Sequence, residues 1–248
     1  MTIKRNLPKS VLNRTWPVPP PSLEEASVYI HRLCIRNLVK DYCRKIQPEW
    51  KNQLEQKVVA SGIFRGQKDN YPRSVPRLFV STRLENEEIN LKVRQTLGSD
   101  NRVKYGLPVI KYDRHGFRAR PRQLLMTGSS VVLVQESKIK QRIDYGSLLG
   151  ISVSSLSDGF FVLHVPTTDN KQKGDLVLQS DHVIEAVTKL AILSDKIHNV
   201  NVSHDRIRFA IARGKEGIID FTSGAELRVV KAKNGHLAVT APRLNSSV

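Results

Sequence analysis

From Leu107 onward the chain repeats one device, a short run rich in Val, Ile, Leu and Phe closed by Gly, Ser, Asp or Asn. Such runs occupy 107–113, 122–127, 131–135, 148–154, 159–165 and 174–179, and again 206–212, 217–221, 226–231 and 236–240. Runs of that length, separated by turn residues, are too short for helices and specify an antiparallel β-sandwich or barrel. Lys233-Asn-Gly235 divides the last two as a hairpin turn. One helix interrupts the series over 181–196, where Ser180-Asp181 offers a cap and Val183, Val187, Leu190, Ala191 and Ser194 recur at helical spacing.

The chain ahead of the strands reads as helical. Residues 1–21 are basic and then proline-rich, an extended arm that suits neither a helix interior nor a central strand. Ser22-Leu-Glu-Glu25 is a capping-box pattern. Behind it Ala26, Ile30, Leu33, Cys34, Leu38 and Val39 form a stripe up to about Ile46. Pro48 ends that helix and suits the first position of the next, which carries Trp50, Leu54 and Val58 on one stripe as far as Ile63-Phe64. The two read as an antiparallel pair over 22–64. Pro72 and Pro76 predict an extended connector packing through Tyr71, Val75, Leu78 and Phe79. Glu85–Leu97 reads as a short helix stopped by Gly98. Cys34 and Cys43, nine positions apart along one rigid helix, cannot reach each other and read as reduced thiols of a cytosolic protein.

Composition enters through charge. A formal charge of +17 points to an anionic partner, whether nucleic acid, a membrane surface or an acidic protein. The charge is concentrated: between residues 104 and 142, nine Lys and Arg stand against only Asp113 and Glu136, a local +7. Val109 to Asp113 alternates as a strand with one buried face, and His115-Gly116 is a turn. Arg118, Arg120 and Arg122 alternate behind the turn, so an extended backbone projects all three to one side, with Lys111 across from them. Guanidinium groups grip phosphate oxygens in pairs while an ammonium supplies a point charge, a set that suits a phosphorylated lipid headgroup. Lys104, Arg114, Lys138, Lys140 and Arg142 form the supporting basic surface, and 138–142 reads equally as a flank of the mouth or as a loop. Lys231 and Lys233 are placed far from this hairpin.

Other chemistry finds little footing. Gly214-Lys-Glu-Gly217 lacks the lead glycine and the hydroxyl residue of a phosphate-cradling loop, and no G-x-S-x-G elbow occurs. The seven histidines are scattered without ligand spacing. No catalytic, cofactor-binding or metal residue is therefore assigned, and the expectation is a protein that is not an enzyme and needs no cofactor. The N-terminus lacks the apolar run of a secretory signal, and no stretch approaches the ~18 apolar residues of a membrane span, so the chain reads as soluble or peripheral. Single-strand binders interleave stacking aromatics with their basic groove, whereas Tyr112 and Phe117 alone occur in the hairpin. A nucleic-acid-binding module thus stands as an alternative, beside a protein-docking module working through 22–64.

Several short motifs occur together in order: Tyr71-Pro-Arg-Ser-Val-Pro76, Lys111-Tyr-Asp-Arg114, Arg120-Pro-Arg122, Lys140-Gln-Arg-Ile-Asp144, Ile151-Ser-Val-Ser-Ser155 and Asp220-Phe-Thr-Ser-Gly224. In these the chain resembles the tail homology region of class I myosins over about residues 45–248, and Arg5-Asn-Leu-Pro8 with 22–46 looks like the stretch just after the neck. The resemblance implies an α+β protein: a helical pair at 22–64, then a tail homology domain at 65–248 whose pleckstrin-homology-like core (about 105–197) has a capping helix and a C-terminal β extension. It implies that Lys111 and Arg122 match the family's basic signature, and that phosphoinositides and phosphatidylserine are the partners. The implied place is cytoplasmic, peripheral on the inner face of the plasma membrane or on vesicles. The motor that hydrolyses ATP lies outside these residues, so actin and calmodulin are expected only through a motor and neck. Ile46-Gln47 is followed by Pro48 and lacks the arginine of a light-chain motif, so this chain is not expected to bind calmodulin itself.

Overall fold

The computed structural model describes residues 18–84, 90–98, 102–167 and 174–243. Most of the proline-rich arm and the start of the expected helix at Glu85 lie outside the described residues. The chain divides into two compact units, Met1–Asn52 and Gln53–Val248, with the division inside the second helix.

In the first unit, α1 (Glu24–Lys45) is a helix of 22 residues with no buried side chain. Glu24 and Glu25 occupy its first turn and Arg44 and Lys45 its last, each complementing the helix dipole. The capping box at Ser22 does not form. Pro21–Leu23 makes a 3-10 turn instead, Leu23 N–H donates to the Pro20 carbonyl (2.9 Å), and no side chain caps the helix. Pro48 opens α2 (Pro48–Phe64), as its missing donor and fixed φ favour. The expected stripe is overturned: Trp50, Leu54 and Val58 are exposed, and the buried residues of α2 are Ala60, Ile63 and Phe64.

The second unit is built on an open eight-stranded sheet. In chain order its strands are β1 (Tyr105–Tyr112), β2 (Ala119–Met126), β3 (Ser130–Gln135), β4 (Lys138–Asp144), β5 (Gly150–Ser154), β6 (Phe160–His164), β7 (Leu176–Gln179) and β8 (Val200–Ser203). Their order in the sheet is β4-β3-β2-β1-β7-β6-β5-β8, antiparallel except for β5 with β8. Edges remain at β4 and β8, so this is a curled sandwich and not a closed barrel. Leu107, Leu124 and Leu133 from one half and Ile151, Phe161 and Leu178 from the other share one apolar cluster with Val183, Val187, Leu190 and Ala191 of α5 (Val183–Leu193). The helix therefore caps the core; the stripe its spacing predicts is buried, and so are Ile184, Glu185, Ala186 and Thr188 beside it. Its N-cap is His182, without the expected side-chain cap; Ser180 Oγ accepts from the His182 N–H at 3.3 Å.

A second, four-stranded sheet follows: β9 (Arg206–Ala212), β10 (Lys215–Ser223), β11 (Arg228–Lys231) and β12 (Leu237–Ala241), in the order β11-β12-β10-β9. Ile207, Phe209, Phe221 and Val239 pack on Tyr112, Phe160, Val162 and Val177, the outer faces of β1, β6 and β7. This explains why Phe160 to Leu163 is apolar without alternation. Phe161 and Leu163 serve the inner core, while Phe160 and Val162 serve the outer one. The β extension thus packs on the first sheet, as its strand signals predict. The turn between β11 and β12 holds Gly235 at φ 84°, a conformation that strains any side chain.

Smaller elements depart from expectation. Tyr71–Ser74 is a single helical turn (α3) and not an extended connector, since a proline at the second position is compatible with a first turn. Phe79 is buried there, but Val75 and Leu78 are exposed. α4 (Leu91–Leu97) is capped by the Asn90 side chain and ends at Gly98. Its Val93 and Leu97 cover Leu125, Val132 and Val134 on the outer face of β2 and β3. Cys34 and Cys43 are free.

Candidate anion-binding site

Register builds the site. Lys111 lies directly opposite Arg120, and Val109 opposite Arg122. Residues opposite in an antiparallel pair share a face, and Lys111 and Arg122 are diagonal neighbours, within about 7–8 Å at the backbone. That face is the inner one, because Val109, Leu107, Leu124 and Met126 at alternate positions enter the main core. Toward the β1–β2 turn the core runs out, and the same row of positions continues as Lys111, Arg120 and Arg122. Like charges placed opposite one another destabilise a sheet, so this arrangement has no structural reward.

β4 completes the mouth. A bulge between Leu133 and Val134 pairs Leu133 with Gln141 and Val134 with Ile139, leaving Lys140 as the extra residue. The bulge turns Gln141 and Ile143 to the inner face while Ile139 packs outside with Val134. Lys111 Nζ donates to Gln141 Oε1 at 3.0 Å. Burial lowers the pKa of Lys111, and the positive neighbours Arg114, Arg122 and Arg120 lower it further, with Asp113 opposing. The ammonium is thus held among cations without a matching anion. Asp113 is committed to the turn, where Oδ1 accepts from Gly116 N–H at 2.7 Å and Oδ2 lies 3.9 Å from Arg120 Nη2. Burial works against its charge, but the backbone donors of Gly116 and Arg118 and the charge of Arg120 outweigh it and hold the carboxyl below its ordinary value.

The sequence-assigned residues separate into three groups. Lys111, Arg120 and Arg122 come together; Arg118 precedes β2, exposed, its carbonyl accepting from Asp113 N–H. Lys138 and Lys140 are exposed on β4 at the same end of the sheet, in a strand and not in a loop. Lys104 and Arg142 do not join them, and Arg114 acts on Lys111 only through its charge. Lys104 sits before the far end of β1, about 23 Å from Lys111 at ~3.3 Å per residue. Arg142 alternates with Gln141, faces away and pairs with Asp144 at 3.2 Å. Arg114 is turned to the second sheet, where it lines a cavity with Lys215 and Lys231. Lys231 is therefore not remote from the hairpin, contrary to the sequence reading.

Two buried polar arrangements escaped the sequence reading. Lys68 Nζ donates to the Ser154 and Leu156 carbonyls (2.8 and 2.7 Å) beside buried Asp158, tying the segment after α2 to the β5–β6 turn. Ser152 Oγ, His164 Nε2 and Asp175 Oδ2 are linked at 2.8 Å each, an order reminiscent of a hydrolase triad. Asp175 also accepts from the Val165 and Ala210 N–H groups (3.0 and 2.8 Å), and buried Ser152 lies between β6 and β8 in the sheet. The relay joins the two sheets and offers no accessible nucleophile. Among the described residues no group of three or more His, Cys, Asp and Glu is arranged to hold a metal ion. No helix of the described residues is long and apolar enough to cross a membrane.

An open sheet of two antiparallel meanders, capped by one helix and with cations at the rim, defines a pleckstrin-homology-like domain enlarged by a second sheet. Residues 70–244 match the family described as "unconventional myosin tail, actin- and lipid-binding", and the chain belongs to that family. It is 80% identical over 245 residues to unconventional myosin-Ic of Danio rerio, covering 99% of this chain and 24% of that protein. It is 61% identical over 246 residues to unconventional myosin-Ic of Mus musculus (99% and 23%), and 49% to unconventional myosin-Ih of Homo sapiens (99% and 24%). The chain thus spans about a quarter of the length of these relatives and contains the tail region, not a motor. Among solved structures, the hSac2 domain from human phosphoinositide phosphatase Sac2 matches at 14% identity over 46% of this chain and 83% of that one, with a TM-score of 0.33, a likeness too low to support any conclusion. The family description places actin beside lipid in the tail, whereas the sequence reading left actin to the motor.

Proposed function

We propose that this chain is the membrane-binding tail of a short-tailed class I myosin, holding an actin-based motor to anionic bilayers by gripping phosphoinositide headgroups at Lys111, Arg120 and Arg122. The observation that carries the reading is the continuation of the core-facing row as three cations at the rim, with the desolvated Lys111 ammonium among them. Lys138 and Lys140 extend the positive surface beside it, and each Lys or Arg near an anionic leaflet adds about 1 kcal/mol. Nucleic acid is disfavoured because Tyr112 and Phe117 are buried against Phe160 and Phe209 instead of being presented to bases. The domain then works peripherally on the cytoplasmic face, and the helical segment 22–64 precedes a tail homology domain at 65–248.

The test compares charge losses of equal size drawn from the same stretch of sequence. Lys111→Ala with Arg122→Ala removes two charge-assisted contacts, about 1.5–3 kcal/mol each, and is expected to weaken binding to phosphatidylinositol bisphosphate vesicles roughly a hundredfold or more. Lys104→Ala with Arg142→Ala, which lie off the mouth, should cost less than about tenfold because screened charges act only within ~10 Å. Equal losses in sedimentation would leave a diffuse field and no headgroup site.

A further inference from the structure

Past the end of β1, Arg114 opens the turn that leads to β2, and there it meets the second sheet. There Arg114 lines a cavity of about 390 Å³ with Lys215, Glu216, Lys231, Asn234 and His236. We propose that this cavity is a second anion site, taking a compact dianion of the phosphomonoester class, lined by the hairpin turn and the second sheet and not by Lys111, Arg120 or Arg122.

Arg114 separates this cavity from an ordinary solvated face. It is half-buried, and its Nη1 is enclosed without a hydrogen-bond partner. The one carboxylate that supports its charge is Asp175, which already serves His164 Nδ1 and the Val165 and Ala210 N–H groups. An enclosed donor with no dedicated acceptor costs stability until something accepts from it. Lys215 and Lys231 bring exposed ammonium groups to the same cavity from β10 and β11. Glu216, the acidic member of the lining, leans toward Arg208 at 3.9 Å. The imidazole of His236 is fixed by its Nδ1 contact to Asp220 Oδ2 at 2.7 Å. The balance is cationic, with one guanidinium for paired oxygens and two ammonium groups for charge.

The probe is inositol 1,4,5-trisphosphate, titrated calorimetrically into the full chain. Wild type is expected to take up two equivalents. Lys215→Glu with Lys231→Glu should retain one, the affinity of the lost equivalent falling at least tenfold. Both lysines are exposed, so this variant tests the site without threatening the fold; Arg114→Gln tests it from within. Loss of the equivalent governed by Lys111 and Arg122 would overturn the headgroup reading alone, so the two sites fail separately. Vesicles containing phosphatidylinositol bisphosphate identify the source of the anion, with Lys104→Glu and Arg142→Glu as the charge control. A vesicle loss beyond that control upholds the site as a headgroup site. A loss confined to the soluble probe, reproduced by competition with inorganic phosphate, upholds it as a site for a free phosphate compound. If both variants keep wild-type stoichiometry, or wild type takes up a single equivalent that vanishes with Lys111, the second site does not exist.

Discussion

The two ends of the β1–β2 pair are made by one register and behave as opposites. At one end Leu107 faces Leu124, and their row meets α5 in a core without exposed surface. At the other end Lys111 faces Arg120, and nothing in the row beyond them is apolar. The ladder is continuous across both, so the difference lies in what the inner face meets: a helix at one end, solvent at the other. Stability is stored where the row is covered, and binding capacity where it is not.

The sharpest way to break that contrast is to damage the covered end. Leu124→Ala should lower unfolding stability by about 2–5 kcal/mol, the usual range for a buried Leu, while headgroup affinity measured below the melting transition stays within about twofold of wild type. A matching loss of affinity would mean that the mouth depends on the core's packing and not on its own charges.

At the open end the expected sign reverses. Lys111→Met removes a cation held among cations and should raise stability by about 0.5–2 kcal/mol while abolishing headgroup binding. Lys111 has a lowered pKa in the folded chain, so below that pKa it is charged in both states and penalises the fold. As pH rises through it, the folded state sheds the proton that the unfolded state keeps, and stability increases. The gap between Lys111→Met and wild type should therefore narrow with rising pH in denaturant titrations, and headgroup affinity of wild type should fall over the same window. A gap that widens would contradict the desolvated ammonium.

The smallest effect belongs to the rim. Arg120 and Asp113 are 3.9 Å apart and largely solvated, so Arg120→Ala should shift stability by less than about 0.5 kcal/mol. A larger loss in thermal unfolding would make the rim part of the structural end.

What could be read without the structure followed the same division. β9 falls on 206–212 as its apolar periodicity indicates, and the core row of β1 to β3 is plain in the hydrophobic runs. β4 was hidden because its exposed residues Lys138, Lys140 and Arg142 look like a charge run, and because the bulge sends Ile139 and Ile143 to opposite faces and destroys the alternation. β8 was hidden because Val200-Asn-Val-Ser203 is short and half polar. Lys111, Arg120 and Arg122 were legible as a cluster because alternation fixes their side. Arg114 was assigned to the same surface because composition counts charges, whereas the turn after β1 decides which way it points.

β6, which belongs to two cores at once, also sets a schedule for synthesis. When β8 has left the ribosome the first sheet has all its strands, yet Phe160, Val162, Val177 and Tyr112 still lack their covering. β12 lies inside the second sheet, parallel to β10, so that covering is unfinished until Ala241 emerges, about 40 residues later. At roughly 5–20 residues per second, every newborn chain carries a naked aromatic flank for about 2–8 seconds, an interval in which a chaperone has something to hold.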